Sequence, residues 1–283
     1  MLGPISIASF SFHGALGEGT FDVFTYLEAC RYRYHLDTAD IWNGLLGPDV
    51  EVQLDHARLR KVRAAMDERG LTCVNYHADG CHPYEPDADV RARHRDLAFR
   101  HLEAAEILGA QTVRIDPGGR DRHWSEAEME ILVPAYREFA DFAARAGFRV
   151  GPETHWGAGN YPDNMLALHA AVDRPEYGIL LHLGKDTWTS PDDYDRALAP
   201  IAIHTHIDQR TCETRLGAAL AILAEAGYSG ALGVEHHTGK NEFMEVAAQI
   251  GAVRRELGRM RLEAPAVYGG NPLLNPADER SLR

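Results

Sequence analysis

The sequence predicts an α/β protein with one (β/α)8 TIM barrel, in which eight parallel strands close into a ring inside a layer of helices. Two observations predict this fold. Short apolar runs of β-prone residues alternate with longer amphipathic runs, and no change in composition divides the 283-residue chain into separate units. The candidate strands start near Ile5, His35, Thr72, Thr112, Arg149, Gly178, Ile201 and Ala231.

The helical runs between these strands carry their own start and stop signals. Ser125 and Glu128 form a capping-box pattern, and Ser190 precedes a proline at the first position of a helix. Four helical runs end on a glycine just before the next strand, which is typical of a helix C-terminus: Gly70, Gly109, Gly147 and Gly227. One predicted helix begins at Thr20, and the others cover 50–69, 88–108, 125–146, 161–171, 191–199, 214–226 and 241–257.

The barrel domain is predicted to occupy residues 1–262, and residues 263–283 are predicted to form an irregular C-terminal extension. Prolines and glycines interrupt that last segment at Pro265, Gly269, Gly270, Pro272 and Pro276. The alternative fold is an open doubly wound sheet. No Gly-x-Gly-x-x-Gly pattern follows the first strand, which disfavours a dinucleotide-binding version of that alternative.

Composition and charge argue against several classes of partner. Acidic residues outnumber basic residues by 42 to 29, whereas nucleic acids and anionic membranes select a basic surface. No apolar run approaches the roughly 20 residues of a membrane span. The N-terminus has no basic region and has Pro4 within its apolar part, which disfavours a signal peptide. The four cysteines show no CxxC spacing, and because the chain shows no export signal we expect reduced thiols and a cytoplasmic location.

Four later strands end on side chains that can bind a metal: Glu153, His182, His206 and Glu235. Alternate residues of a barrel strand point inward. The same parity on each strand turns all four side chains inward, with mainly small residues beneath them, at the rim where active sites of such barrels form. A lone histidine or glutamate at a strand end is more often a core or solvated residue. The prediction therefore rests on the four occurring together.

Two carboxylates and two imidazoles suit Mn, Fe, Co, Ni or Zn better than Mg or Ca, which prefer oxygen ligands. Such an ion would hold neighbouring hydroxyl and carbonyl oxygens of a substrate and stabilise an enediolate, while the carboxylates transfer protons. His204 also points inward and is the alternative to His206. Because His204 lies one layer deeper, we expect His206 to be the ligand and His204 to support it.

Three stretches around these residues resemble motifs of the xylose isomerase-like barrel superfamily, especially its sugar phosphate isomerase/epimerase branch. Residues 152–157 are similar to the Glu-Asn-His-x-Gly element after strand five, and residues 204–208 to the His-x-His-x-Lys-Asp element on strand seven. Residues 225–236 are close to the Gly-Tyr-x-Gly-x-x-x-x-Glu-His signature of strand eight, the most specific of the three. The resemblance implies one divalent ion held by Glu153, His206 and Glu235, with the two glutamates as the proton-transfer pair.

Strand six departs from the family pattern. The family has Asp-x-Gly-His there, whereas this chain has His182 in place of the ligand Asp and Lys185 in place of the following His. A neutral His182 leaves the ion with one more unit of positive charge, and Lys185 could hold an anionic substrate or donate a proton. The resemblance favours a metal-dependent isomerase or epimerase of a small sugar, keto-sugar or polyol derivative, with Glu153, Glu235 and Lys185 as catalytic residues.

Two alternatives stay open. The first is a metal-dependent lyase or dehydratase that performs β-elimination on an oxidised (3-oxo) sugar, glycoside or cyclitol, because the same superfamily contains such enzymes. The second is a degenerate barrel without catalytic activity. A homo-oligomer is compatible with this kind of barrel, although no sequence feature identifies an interface.

Further side chains at the predicted rim are candidates for contact with a small carbohydrate substrate. Aromatic rings can stack on a sugar face, and an arginine can bind an anion. Packing in the core or between subunits explains the tryptophans equally well. The main candidates are His155, His77, Trp42, Trp124 and Arg210, and the weaker ones are His13, Asp116 and Trp156.

Overall fold

The structure, a computed structural model, describes residues 2–119 and 121–263 and contains a barrel of eight parallel strands. The strands are β1 (Ile5–Ile7), β2 (Thr38–Trp42), β3 (Thr72–Ala78), β4 (Thr112–Ile115), β5 (Arg149–Gly151), β6 (Ile179–His182), β7 (Ala202–Ile207) and β8 (Leu232–Val234). They pair in the orders β1-β8-β7-β6 and β2-β3-β4-β5. Isolated bridges close both seams, among them Ala8 with Asp40 and Glu153 with Leu180. The predicted (β/α)8 barrel is confirmed, and the open-sheet alternative is wrong.

Helices cover the outside of the barrel and begin and end largely where the sequence signals predict. Ser125 makes both capping-box contacts with Glu128, and the four predicted C-terminal glycines have φ between 62° and 81°. The helices are α1 (His13–Gly17), α2 (Val23–Glu28), α3 (Asn43–Leu46), α4 (Val50–Gln53), α5 (His56–Arg69), α6 (Ala88–Leu108), α7 (Glu126–Ala146), α8 (Pro162–Val172), α9 (Pro191–Leu198), α10 (Gln209–Thr214), α11 (Leu216–Glu225) and α12 (Glu242–Glu263).

Two element boundaries differ from the prediction for local reasons. Strand β2 begins at Thr38 rather than near His35, because a π-helical turn at Ala29–Arg33 and a left-handed His35 (φ 55°) precede it. The predicted helix 50–69 is two helices. Asp55 interrupts it because its carboxylate accepts a hydrogen bond from the Arg58 amide at 2.7 Å and thereby caps α5.

The last described helix, α12, continues six residues past its predicted end at residue 257, to Glu263. Residue 263, predicted to begin the irregular extension, is therefore helical, while residues 264–283 lie outside the described residues. The division into a barrel domain and an extension stays a prediction. No helix in the described ranges is long and apolar enough to cross a membrane. All four cysteines are free thiols.

The alternation of inward and outward residues positions the site. Val150, Leu181, Ile207 and Val234 are fully buried in the apolar core. The polar groups that meet inside the ring lie close to them in sequence: His182, His206 and Glu235 adjoin the last three, and Glu153 follows Val150 by three residues. Small residues make room for those groups: a Cβ atom on Gly233 would lie only 3.1 Å from both Asp40 Oδ2 and His204 Nε2.

Candidate metal centre and active site

Four side chains converge at the carboxyl ends of strands β5 to β8. Glu153 and Glu235 follow β5 and β8, while His182 ends β6 and His206 lies on β7. His182 and His206 are direct neighbours in the parallel register of β6 and β7. Each of the four offers one ligand atom, and these atoms all lie within 4.8 Å of one another. None of the four residues is more than 7% exposed, so the cluster is buried at the barrel rim.

The spacing of the donor atoms fits a single metal ion. His206 Nδ1 lies 3.2 Å from Glu153 Oε1 and 3.2 Å from Glu235 Oε2. His182 Nδ1 lies 3.4 Å and 3.7 Å from the same two oxygens. Tetrahedral ligands at about 2.1 Å from one ion are separated by about 3.4 Å. The four side chains therefore fit one ion without a change of strand register.

The electrostatics of the cluster also favour a cation. Burial would raise the pKa of Glu153 and Glu235, yet contact with His206 holds both pKa values well below their ordinary value. Burial would lower the pKa of His206, yet the two carboxylates raise it well above its ordinary value. Two buried carboxylates thus require positive charge between them, which either a protonated histidine or a divalent cation supplies.

Below the four side chains lies a buried carboxylate, Asp40, which sequence analysis missed. Asp40 Oδ1 accepts hydrogen bonds from His77 Nε2 at 2.6 Å and Asn75 Nδ2 at 3.1 Å. Asp40 Oδ2 accepts from His204 Nε2 at 2.7 Å and Ser6 Oγ at 3.3 Å. His204 therefore lies beneath the cluster, as its deeper position predicts. The sequence signal for Asp40 was its place between two apolar residues of strand β2, because a charged residue at such a position needs buried partners.

Arg114 on β4 is a second buried group that sequence analysis missed. Its Nε atom lies 3.3 Å from Glu153 Oε2, and Nη1 donates hydrogen bonds to Asp79 Oδ1 at 2.5 Å and Asp116 Oδ2 at 3.1 Å. Its Nη2 donates to His77 Nδ1 at 3.3 Å. The guanidinium thus links strand β4 to β3 and to the end of β5, and it fixes one side of Glu153. The sequence did offer a signal for this group, because an arginine between two apolar residues of a buried strand needs buried partners.

Two of the three carboxylates that contact Arg114, those of Asp79 and Asp116, also hold tryptophans at the rim. Trp42 Nε1 donates a hydrogen bond to Asp79 Oδ2 at 2.6 Å, and Trp156 Nε1 donates to Asp116 Oδ2 at 3.3 Å. Trp42 is further packed edge-on against Phe10, with ring centroids 5.2 Å apart. Both indoles are therefore oriented through the same ionic network that holds Glu153.

The other predicted substrate contacts lie in different surroundings. His155 is close to the cluster: its side chain is half exposed, and Nδ1 lies 3.1 Å from Asp116 Oδ2 and 3.9 Å from Glu153 Oε2. His77 is only 1% exposed and both of its ring nitrogens contact protein groups, which places it beneath the site rather than against a substrate. A direct substrate contact of His77 stays a prediction, and its burial and two protein partners favour a supporting position instead.

Arg210 and Trp124 make their contacts with groups other than the cluster of four. The Arg210 side chain is mostly exposed and pairs with Asp186 at 2.6 Å, so its charge is already matched by a surface carboxylate. Trp124 packs against the apolar core, and its buried indole N–H has no hydrogen-bond partner among the described residues. Lys185 is partly buried on the turn after His182, its side chain makes no hydrogen bond or ion pair within the described chain, and its charge acts on the His182 imidazole. His13 stacks on Phe10 at 4.4 Å.

A family model described as xylose isomerase-like TIM barrel matches residues 37–261. The chain belongs to this family. The match spans the strands from β2 to β8 and includes all four converging side chains. Comparison with curated protein sequences gives no match.

Solved structures share the fold of this xylose isomerase-like barrel at low sequence identity. D-psicose 3-epimerase in the presence of D-fructose is 16% identical with a TM-score of 0.67, and the match covers 93% of this chain and 99% of that one. A structure described as the "probable 3-DHS dehydratase AsbF" of Bacillus anthracis is 15% identical with a TM-score of 0.67, and the match covers 89% of this chain and 98% of that one. The 3-keto-D-glucoside 4-epimerase of E. coli is 15% identical with a TM-score of 0.64, and the match covers 85% of this chain and 94% of that one. At these identities the likeness shows the fold alone.

Proposed function

We propose that the chain is a divalent-metal-dependent isomerase or epimerase of a small sugar, keto-sugar or polyol derivative. The observation that carries the proposal is the buried convergence of Glu153, His182, His206 and Glu235 within 4.8 Å. The donor set suits Mn, Co, Fe, Ni or Zn better than Mg. The names of two proteins of the same fold, a D-psicose 3-epimerase and a 3-keto-D-glucoside 4-epimerase, agree with this proposal.

The proposed chemistry moves a proton between the two faces or neighbouring carbons of the substrate. When bound, the ion supplies positive charge that stabilises an enediolate. One of the two glutamates removes the proton from the carbon next to the carbonyl, and the other returns a proton to the opposite face or the neighbouring carbon. Arg114 and His237 hold the two carboxylates, at 3.3 Å from Glu153 Oε2 and 3.0 Å from Glu235 Oε2. His155 is the nearest candidate for a substrate hydrogen bond on the Glu153 side.

Solvent hydrogen exchange tests the proposal. With a panel of ketoses and aldoses in heavy water, the metal-loaded protein should interconvert a substrate and incorporate deuterium next to the carbonyl, as measured by NMR. Glu153→Gln and Glu235→Gln should each lower the exchange rate about 10²- to 10⁴-fold, because each removes a proton-transfer group. Glu225→Gln, at an exposed carboxylate paired with Arg196, is the matched control. Conversion without deuterium incorporation would contradict the mechanism.

A lyase or dehydratase acting on a 3-oxo sugar, glycoside or cyclitol is the second candidate. It is favoured by His182 in place of the family aspartate and by Lys185, a half-buried cation free to assist a leaving group. The description of one structure of the same fold as a "probable 3-DHS dehydratase" agrees with it. It predicts an absorbing enone or a released leaving group, and Lys185→Met should slow this elimination at least about 100-fold. No product from a broad panel of 3-oxo substrates would reject this candidate.

A cytoplasmic location, a homo-oligomer and the non-catalytic alternative stay predictions. The four free thiols are consistent with a reducing compartment. Light scattering of the purified protein measures the oligomeric state. Less than about half an equivalent of bound ion, unrecovered after ions are added, would favour the non-catalytic barrel.

A further inference from the structure

The position of His182 is fixed by more than its contacts with the two glutamates. Its backbone amide donates a hydrogen bond to Thr154 Oγ1 at 2.8 Å, which ties the end of β6 to the residue after Glu153. The ring stacks on His237, with centroids 5.7 Å apart and planes inclined by 18°. With 6% exposure, the imidazole is buried and aimed at the cluster through Nδ1.

A carboxylate lies on the far side of this ring. Asp208 Oδ2 is 3.9 Å from His182 Nε2, within ion-pair distance. Asp208 Oδ1 accepts a hydrogen bond from the Thr211 amide at 2.7 Å and caps α10, so the carboxylate is itself held in place. A carboxylate behind a metal-binding imidazole orients the ring and raises the basicity of its ligand nitrogen. At 3.9 Å the two groups form an ion-pair contact rather than a hydrogen bond, so Asp208 acts on His182 through its charge.

The substitution of His for Asp changes the donor set in a way that discriminates between ions. An aspartate at position 182 would give three carboxylates and one imidazole around the centre. His182 gives two of each and removes one unit of negative charge. Oxygen-rich, anionic sets suit Mg and Mn, whereas imidazole nitrogen suits Fe, Co, Ni and Zn, which also bind more tightly in the Irving–Williams order.

We propose that His182, positioned by Asp208, makes the metal centre selective for Zn, Co, Ni or Fe over Mn and Mg. This selectivity rests on the proposed function, because it assumes that the four side chains bind an ion. It goes beyond that function by assigning a role to a residue pair, and it concerns which ion binds rather than which sugar is converted.

Metal competition tests the proposal without any substrate. The metal-free protein is dialysed against equimolar Mn and Zn, and the bound ions are measured by mass spectrometry. Wild type should hold about one equivalent in total, almost all of it Zn. The visible absorption spectrum of the Co-loaded protein provides a second readout, because its bands respond to exchange of a nitrogen ligand for an oxygen ligand.

Two variants and a control separate the contributions of His182 and Asp208 to the choice of ion. His182→Asp should shift the Zn-to-Mn ratio at least about tenfold toward Mn and change the Co spectrum. Asp208→Asn keeps the cap of α10 and the ligand but removes the charge behind the ring, so it should shift the ratio less, in the same direction. His56→Asn removes a half-exposed imidazole that pairs with Glu103 on the outer helix α6 and should leave the ratio unchanged. Circular dichroism checks that each variant is folded.

The outcomes distinguish this inference from the proposed function. If wild type and both variants hold one equivalent with the same Zn-to-Mn ratio, the metal centre stands and the role of His182 is rejected. If the folded wild type holds no ion under any condition, the metal centre is rejected and the selectivity with it. If His182→Asp fails to fold, Asp208→Asn decides: an unchanged ratio and Co spectrum would overturn the proposal.

Discussion

Two buried side chains, Asp40 and Arg114, support the candidate site from below. Asp40 is fully buried and joins His77 and His204, and Arg114 joins His77 to Glu153. A buried charge is tolerated only when it is paired, and each of these groups has several partners. The orientation of Glu153 therefore depends on a network that runs through β2, β3, β4 and β7.

Removing the Arg114 charge tests this dependence. Arg114→Gln leaves the carboxylates of Glu153, Asp79 and Asp116 without their shared cation. We expect a loss of about 3–5 kcal/mol in the free energy of unfolding, measured by chemical denaturation. Arg196→Gln, which breaks an exposed pair with Glu225, should cost less than about 1 kcal/mol. Equal effects of the two variants would show that the buried network contributes no special stability.

At the scale of elements, the sequence predicted the polar residues at the strand ends of the site but not those within the strands. The ligand candidates on β5 to β8 follow from the end of each apolar run combined with the two-residue period of a strand. Asp40 and Arg114 lie within strands, between apolar neighbours, where one sequence does not reveal which groups stand opposite. The start of β2 was misplaced for a similar reason, because nothing in the sequence marks the π-helical turn at Ala29–Arg33.

Strand β8 approaches strand β7 so closely at Gly233 that any side chain larger than hydrogen would contact the β7 backbone. A Cβ atom at Gly233 would lie 2.7 Å from the Thr205 carbonyl oxygen on β7. Gly233→Ala should therefore destabilise the protein by about 1–3 kcal/mol through overpacking. Gly258→Ala on α12, where no described atom outside the helix's own backbone lies within 4 Å, should stabilise it by about 0.5–1 kcal/mol. Thermal melting of both variants measures the contrast, and a neutral Gly233→Ala would refute the close approach.

Helix α6 carries a buried histidine that makes stability depend on pH. Burial lowers the pKa of His101 to about 4, and its Nδ1 lies 2.8 Å from the Tyr76 hydroxyl oxygen. In the unfolded chain the pKa is about 6.5. The stabilising contribution is therefore fully present above pH 6.5 and is lost as the pH falls toward 4, by on the order of 3 kcal/mol.

Replacing this histidine tests the pH dependence. The free energy of unfolding of His101→Phe, measured by denaturant titration at several pH values, should fall less steeply than that of wild type between pH 6.5 and 4. His56→Phe, at a half-exposed position, should keep the wild-type slope. Parallel curves for wild type and His101→Phe would show that His101 titrates normally.

At the scale of the whole molecule, closure of the barrel creates the site. Glu153 and His182 stand on opposite sides of the seam between β5 and β6, where the two sheets meet through isolated bridges. His206 and Glu235 complete the cluster from β7 and β8. One ion bound by all four side chains would connect four consecutive strands across this seam. The fold class was predictable from the alternation of strands and helices. The convergence of the four charged or metal-binding side chains follows only once the strands close into a ring.

Anomalous diffraction tests the central claim most directly. Crystals of the protein loaded with Zn or Co are measured above and below the absorption edge of the added metal. One anomalous peak between Glu153, His182, His206 and Glu235, with both histidine Nδ1 atoms and a carboxylate oxygen from each glutamate as ligands, is the predicted result. A fully loaded crystal whose only ion lies elsewhere, or whose peak excludes His182, would contradict the four-ligand centre.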